Sequence, residues 1–184
     1  MEITKQLYVK NRKEWRKWLS INHNKEKEIW LVYYNKKSNK TRIPYDDAVE
    51  EALCYGWIDS TVKKLDQDST VQRFTPRNIK SSWSELNKER FRRLIKKGVV
   101  TKYGLEKAKW VKDDDNSLII PKYIIKELSK DPVVLENFNK FPLYYKKIRI
   151  NYMNGYKKNS KEFEKRLSYF IKMTKLNKRF GMMK

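Results

Sequence analysis

The 184-residue chain has few of the residues from which metal and redox sites are built. Cys54 is its one cysteine and His23 its one histidine. A zinc site draws several ligands from these two residue types, so we expect no metal site. A lone cysteine excludes an internal disulfide and fits a reducing compartment. The five glycines are scattered without a phosphate-binding pattern, and no nucleophile elbow occurs, so we expect no cofactor.

Long apolar runs are also missing from the sequence. No stretch of about 18 apolar residues occurs, which predicts that the chain has no transmembrane segment. The first residues, Met1 to Lys5, lead directly into a charged segment and lack the apolar core of a secretory signal. We therefore expect a cytoplasmic protein. The sequence contains no pattern that predicts the oligomeric state.

Acidic residues are half as numerous as basic ones, with 22 Asp and Glu against 44 Lys and Arg. The excess is concentrated in residues 121–184, where 17 basic residues face 5 acidic ones. Such a surface suits nucleic acid, an anionic membrane or an acidic partner, although a lysine-rich composition explains it equally well. Tyrosines at 144, 145, 152 and 156 lie among these cations. They could stack on bases, which makes nucleic-acid binding by the C-terminal helices one hypothesis, or they could form a helix core.

The hydrophobic patterns predict an α+β fold in which helices cover a small antiparallel sheet of about three strands. Period-2 and apolar runs predict strands at 28–34, 57–62 and 69–75, with the last two forming a hairpin. Helical periodicity and capping residues predict helices at 12–19, 45–55, 85–97, 101–112, 121–129, 131–138 and, interrupted near 154, 142–178. The polar run at 113–120 predicts a linker between a core domain at 1–112 and an all-helical, basic module at 121–184.

The strongest candidate for a functional site lies between residues 57 and 84. Its members are two tryptophans, an aspartate, two arginines and two hydroxyl residues: Trp57, Asp59, Arg73, Thr75, Arg77, Trp83 and Ser84. Strand alternation places Trp57 and Asp59 on one face, and Arg73, Thr75 and Arg77 on one face of the next strand. The hairpin then allows Asp59 to meet one of these arginines.

Two interpretations of this cluster remain open. In one, an Asp59–arginine pair is a structural brace and Trp57 belongs to the core. In the other, two guanidinium groups and an aromatic wall form a shallow pocket for a small anion or phosphate, helped by the N–H groups at the helix start near Ser84. Asp59 as a catalytic acid or base ranks below binding, because neighbouring arginines lower the pKa of a carboxylate.

Several motifs resemble the YdeI/OmpD-associated family, also called bacteriocin-protection proteins. The matching runs are WLVYYNKK at 30–37, EALCYGWID at 51–59, QRFTPR at 72–77, WSELN at 83–87 and TKYGL at 101–105. The segment after residue 121 looks like the small helical module of that family. The resemblance implies a link to protection against bacteriocins or antimicrobial peptides and to a porin, and it implies no reaction or catalytic residue. Together with the site, it favours a non-enzymatic module that binds an anionic ligand.

Overall fold

The computed structural model describes residues 2–113 and 117–181. Its residues cluster into two compact units, one made of Met1–Ser82 and Arg90–Asp114 and the other of Trp83–Glu89 and Asp115–Lys184. The first unit contains the sheet and the second is helical, so the predicted α+β class is confirmed. Within the described ranges, no helix combines the length and the apolar character needed to cross a membrane.

The sheet has four strands and is mixed, so the prediction of about three antiparallel strands was wrong. The strands are β1 (Gln6–Leu7), β2 (Ile29–Tyr34), β3 (Trp57–Lys64) and β4 (Ser69–Pro76), in the order β1-β2-β4-β3. β3 and β4 form the expected antiparallel hairpin, and β2 pairs antiparallel to β4. The two-residue β1 pairs parallel to β2, where the Trp30 N–H also donates to the Lys5 carbonyl at 3.0 Å. So short a strand has no hydrophobic period that a sequence could reveal.

The strand register assigns side chains to two faces of the sheet. Ile29 and Asp59 both lie opposite Phe74, so these three residues share one face with Trp57. Trp30 lies opposite Arg73 on the other face, where Trp30, Val32 and Val71 form a small buried cluster. Burial on both faces explains why β2 is an unbroken apolar run rather than an alternating one.

The predicted helices are present with shifted ends, except that the helix predicted at 101–112 is divided into an α-helix and a 3-10 helix. They are α1 (Arg12–Asn22), α2 (Tyr45–Cys54), α3 (Glu85–Lys96), α4 (Lys102–Lys107), α5 (Lys122–Leu128), α6 (Pro132–Lys140), α7 (Leu143–Asn154) and α8 (Ser160–Lys175). Short 3-10 helices occupy Lys36–Ser38 and Lys109–Asp113. The Asn11 side chain caps α1, and Asp131 caps α6 with Pro132 in its first turn, as their positions predict.

Aromatic side chains supply much of the core of the first unit. Trp15 is fully buried, stacks on Trp18 and meets Phe74 of the sheet at a centroid distance of 5.5 Å. Its indole N–H donates to the Ala48 carbonyl at 3.0 Å, which ties α1 to α2. Large buried rings of this kind compensate for the low aliphatic content of the chain.

Ion pairs also join α1 to α2. Arg12 binds Asp47, Glu50 and Glu51, and Arg16 binds the second oxygen of Glu51. The Glu51 side chain is almost completely buried, so its charge is held by two guanidinium groups. Removing either arginine would leave the buried Glu51 carboxylate with one guanidinium partner instead of two.

The second unit is built around α7, whose residues are buried on several sides. Its apolar core joins α5, α6, α7 and α8 through Ile124, Leu128, Val134, Phe138, Phe141, Tyr145, Ile150, Met153, Leu167 and Phe170. Of the predicted linker at 113–120, residues 114–116 lie outside the described part of the chain. The predicted domain boundaries stay a prediction.

Gly104 permits a close approach of α4 to the end of α2, and this contact can be tested. A Cβ atom there would lie 2.5 Å from the Cys54 carbonyl oxygen, the atom to which Thr101 donates from its N–H and its hydroxyl. We expect Gly104→Ala to lower the free energy of unfolding by about 1–3 kcal/mol, because the backbone must shift. Urea unfolding followed by circular dichroism measures this loss.

Gly155→Ala is the matched control for this substitution. Gly155 has an ordinary helical φ of −58°, and the nearest atom to an added Cβ is 3.5 Å away. The same exchange should therefore leave stability unchanged or raise it by about 0.4–1 kcal/mol. Equal losses in the two variants would contradict the role given to Gly104.

Candidate functional site

The seven residues of the sequence-based site are divided between the two units. Trp57, Asp59, Arg73, Thr75 and Arg77 belong to the first unit, whereas Trp83 and Ser84 belong to the second. The five residues of the first unit are themselves divided between the two faces of the sheet and the end of β4. Each group is described within its own unit.

Asp59 lies on the helix-covered face of the sheet, and Arg73 does not. Asp59 pairs with Phe74, whereas Arg73 and Thr75 point to the opposite face, so the expected Asp59–Arg73 pair is not formed. One oxygen of Asp59 instead accepts the Tyr45 hydroxyl at 2.7 Å and the Gln72 amide at 3.3 Å. The alternation prediction was correct for Trp57 with Asp59 and for Arg73 with Thr75, whereas Arg77 lies beyond the end of β4. Alternation cannot give the register between strands.

Arg73 is used as a brace on its own face. Its Nε atom donates to Glu28 at 2.7 Å, and Glu28 also accepts hydrogen bonds from Thr4 and Trp30. These hydrogen bonds, with that of Thr4 first and that of Arg73 second, lower the pKa of the Glu28 carboxyl below its ordinary value. The guanidinium of Arg73 is therefore matched by a carboxylate that the chain supplies.

Arg77 and Trp57 are both buried in the first unit. The Arg77 side chain is 4% exposed and donates to the Ser82 carbonyl. Burial lowers the pKa of its guanidinium, and the charge of Asp59 opposes that change. Trp57 is 1% exposed, and its indole N–H donates to the His23 carbonyl at 3.0 Å. Trp57 is a core residue and does not form the wall of an open pocket.

Two tyrosines complete the polar group around Asp59. Burial raises the pKa of Tyr45, and its hydrogen bond to Asp59 raises it further. Burial also raises the pKa of Tyr33, whose hydroxyl is enclosed without a hydrogen-bond partner among the described residues. Both phenols therefore stay protonated at neutral pH. Tyr45 serves as a donor to Asp59.

A cavity of about 760 Å³ lies in the second unit. Trp83 and Ser84 line it, and the Ser84 hydroxyl caps α3 by accepting the Asn87 N–H at 3.2 Å. Most of its wall is apolar and comes from Trp83, Leu86, Ile148, Met153, Phe170 and Phe180. A volume of this size is typical of pockets that enclose small molecules.

Arg149 of α7 is the buried cation in the wall of this cavity. Its side chain is 8% exposed, and no carboxylate or hydrogen-bond acceptor within residues 2–113 and 117–181 contacts its guanidinium. Its contacts are aromatic, with the guanidinium carbon 4.8 Å from the ring centre of Phe180 and 5.5 Å from that of Tyr145. Burial lowers the pKa of Arg149, because the charged form loses its hydration.

Helix α8 ends in a defined turn that directs the following residues toward Arg149. Asn177 has a left-handed φ of 51°, and the N–H groups of Asn177 and Lys178 donate to the carbonyls of Thr174 and Met173, which is a Schellman motif at the end of α8. The segment that follows carries Phe180, whose N–H donates to the Tyr145 hydroxyl at 3.2 Å.

Gly181 then lies beside the guanidinium of Arg149. Its φ is +95°, and a Cβ atom at this position would lie 2.2 Å from Nη2 of Arg149. The backbone conformation therefore favours glycine here, and an added Cβ would displace the guanidinium. The Schellman turn and this glycine together place the end of the described chain against the cation.

A second arginine, Arg166 of α8, contributes to the lining together with its own partners. It forms an ion pair with Glu162 at 2.8 Å and donates to the Tyr152 hydroxyl. Its guanidinium carbon lies 4.4 Å from the ring centre of Tyr152 and 3.8 Å from that of Tyr156. Unlike Arg149, Arg166 has its charge balanced locally.

The four tyrosines among the C-terminal cations differ in their surroundings. Tyr145 is buried, and the Tyr144 hydroxyl accepts from Arg179 at 2.9 Å. Tyr152 and Tyr156 are exposed and form an edge-to-face pair. Tyr145 is thus a core residue, and nucleic-acid stacking by the other tyrosines stays a prediction.

Sequence reasoning missed Arg149 as a site residue. Lys147, Arg149 and Ile150 are all buried in α7. The helix therefore has only a weak amphipathic pattern, and its sequence does not distinguish a cation that faces inward. In the described segments, no group of three or more His, Cys, Asp or Glu residues could hold a metal ion.

Two family models match the chain. Residues 7–107 match the family described as "Domain of unknown function (DUF8412)". Residues 117–177 match the family described as "Bacteriocin-protection, YdeI or OmpD-Associated", which confirms the resemblance to that family. No curated protein and no solved structure matches the chain.

The cost of burying Arg149 can be measured. We expect Arg149→Met to raise the free energy of unfolding by about 1 kcal/mol, because a desolvated charge is replaced by an apolar chain of similar length. The lost cation–π contacts, worth about 0.5–2 kcal/mol each, limit this gain. Thermal and urea unfolding measure the difference.

The matched control is Arg73→Met. It removes a guanidinium that has a carboxylate partner, and it should lower stability or leave it unchanged, by at most about 1 kcal/mol. If Arg149→Met lost as much stability as Arg73→Met, the description of Arg149 as an uncompensated charge would be wrong.

Proposed function

We propose that the helical unit of the chain binds a small organic anion in the cavity beside Arg149. The chain belongs to the family described as Domain of unknown function (DUF8412), whose model matches residues 7–107. The observation that supports this proposal is the buried guanidinium in an apolar wall, with no acceptor from the described residues. A ligand that brings a negative charge would supply the missing partner.

The chemistry of the cavity favours an anion with an apolar body. Isolated charges are rarely buried, because the loss of hydration is costly unless a partner is provided. A charge-assisted hydrogen bond is worth about 1.5–3 kcal/mol, and more where water is excluded. The apolar wall would gain further free energy from covering the rest of the ligand, at about 25 cal/mol per Å².

The proposed activity is binding without catalysis. The two carboxylates in the lining, Glu85 and Glu162, are each ion-paired to a neighbouring cation, with Lys88 at 2.9 Å and Arg166 at 2.8 Å. Both carboxylates are therefore engaged by cations of the chain. In the first unit, Asp59 is engaged by Tyr45 and Gln72, which favours an orienting role within the fold over an acid/base role.

The physiological setting is part of the same proposal. The family matched by residues 117–177 is described by bacteriocin protection and OmpD association. We place the protein in the cytoplasm, where capture of an amphipathic anion would contribute to resistance against antimicrobial peptides or envelope stress. The cavity lies in the unit that contains the matched residues, which supports this assignment.

Binding can be tested with anions and their uncharged amides. Decanoate, 2-naphthoate and naphthalene-2-sulfonate are titrated by isothermal calorimetry, each against the corresponding amide. We expect at least one anion to bind 10-fold or more tightly than its amide, which corresponds to about 1.4 kcal/mol for the interaction with Arg149. In Arg149→Met this preference should disappear.

The control variant is again Arg73→Met, which should keep the preference of the wild-type protein. The proposal fails if no anion binds better than its amide, or if Arg149→Met binds anions as tightly as the wild-type protein. Unfolding curves of both variants confirm that the comparison is made on folded protein.

A further inference from the structure

We infer that the ligand of the cavity is an aromatic monocarboxylate whose charge pairs with Arg149. This inference rests on the proposed function, and it adds the ligand class. Three properties of the cavity carry it: the planar guanidinium with a buried, unpartnered Nε, the charge balance of the lining, and the aromatic character of the wall.

The Arg149 guanidinium has aromatic neighbours, and its Nε has no hydrogen-bond partner among the described residues. Phe180 lies 4.8 Å and Tyr145 lies 5.5 Å from its central carbon. The N–H bonds of a guanidinium lie in one plane and match the two oxygens of a carboxylate, which is also planar.

The charge balance of the lining favours a single negative charge. Arg166 is paired with Glu162 at 2.8 Å, and Glu85 lies near Lys88 at 2.9 Å and Lys147 at 4.0 Å. Lys165 is exposed, so solvent screens its charge. Arg149 is then the buried cation whose charge the described residues leave unbalanced. A monoanion would balance it, whereas a phosphate monoester dianion would add a second charge that must be buried without a partner.

The wall of the cavity favours a flat ring as the body of the ligand. Five of its lining residues are aromatic: Trp83, Tyr152, Tyr169, Phe170 and Phe180. Phe180 meets the ring of Tyr169 edge-to-face at 4.9 Å, so the rings already pack in the geometry that aromatic groups prefer. An aromatic ligand would extend this packing, and a saturated ring of the same outline would not.

The test compares three probes built on the same fused bicyclic ring skeleton, using isothermal calorimetry at pH 7.5. These are 2-naphthoate, 2-naphthyl phosphate and trans-decahydro-2-naphthoate, the saturated acid. We expect 2-naphthoate to bind at least 10-fold more tightly than the phosphate and about threefold to tenfold more tightly than the saturated acid. Substitution Phe180→Leu should reduce the preference for the aromatic acid and keep the preference for carboxylate over amide.

The outcomes separate this inference from the proposed function. If the phosphate or the saturated acid binds as tightly as 2-naphthoate, and Arg149→Met abolishes binding of all three, the ligand class is wrong and the anion site stands. If none of the three probes binds while decanoate or naphthalene-2-sulfonate does, the ligand class is wrong and the anion site stands. If Arg149→Met binds the anions as tightly as the wild-type protein, both are overturned. If Phe180→Leu leaves the aromatic preference unchanged, the role given to the aromatic wall is wrong.

Discussion

A positive charge enclosed by apolar groups is the constraint on which the helical unit depends. Burying Arg149 costs hydration free energy, and the described residues offset this cost only by the weaker attraction of two aromatic rings. The remaining stability must come from the apolar core that joins α5 to α8. A fold that retains such a residue gives up stability at that position, and this is usual at sites that are preorganised for a ligand.

Several arginines of the first unit have carboxylate partners. Arg12 and Arg16 are bound by Glu51, and Arg73 is bound by Glu28. Arg90, which is 3% exposed, is held by Asp46. Each of these guanidinium groups has a carboxylate as its partner. This contrast, and not the large net charge of the chain, distinguishes Arg149 from them.

The sequence predicted much of the fold and less of the site, for physical reasons. Periodicity and capping residues such as Asn11 and Asp131 are local signals, so the helices and the hairpin could be predicted. The register that pairs Asp59 with Phe74 depends on packing between strands, which no local pattern specifies. Ser84 and Trp83 were predicted to be functional and do line a cavity, but their neighbours in it are distant in sequence.

The Schellman turn at Asn177 has a consequence for how fast a ligand could leave. Phe180 and Gly181 form part of the cavity wall, and hydrogen bonds at the Tyr144 and Tyr145 hydroxyls join this segment to α7. Segments held by few hydrogen bonds open at a much lower free energy than the whole domain. The residence time of a bound ligand would then depend on local opening of residues 176–181 and not on the global unfolding rate.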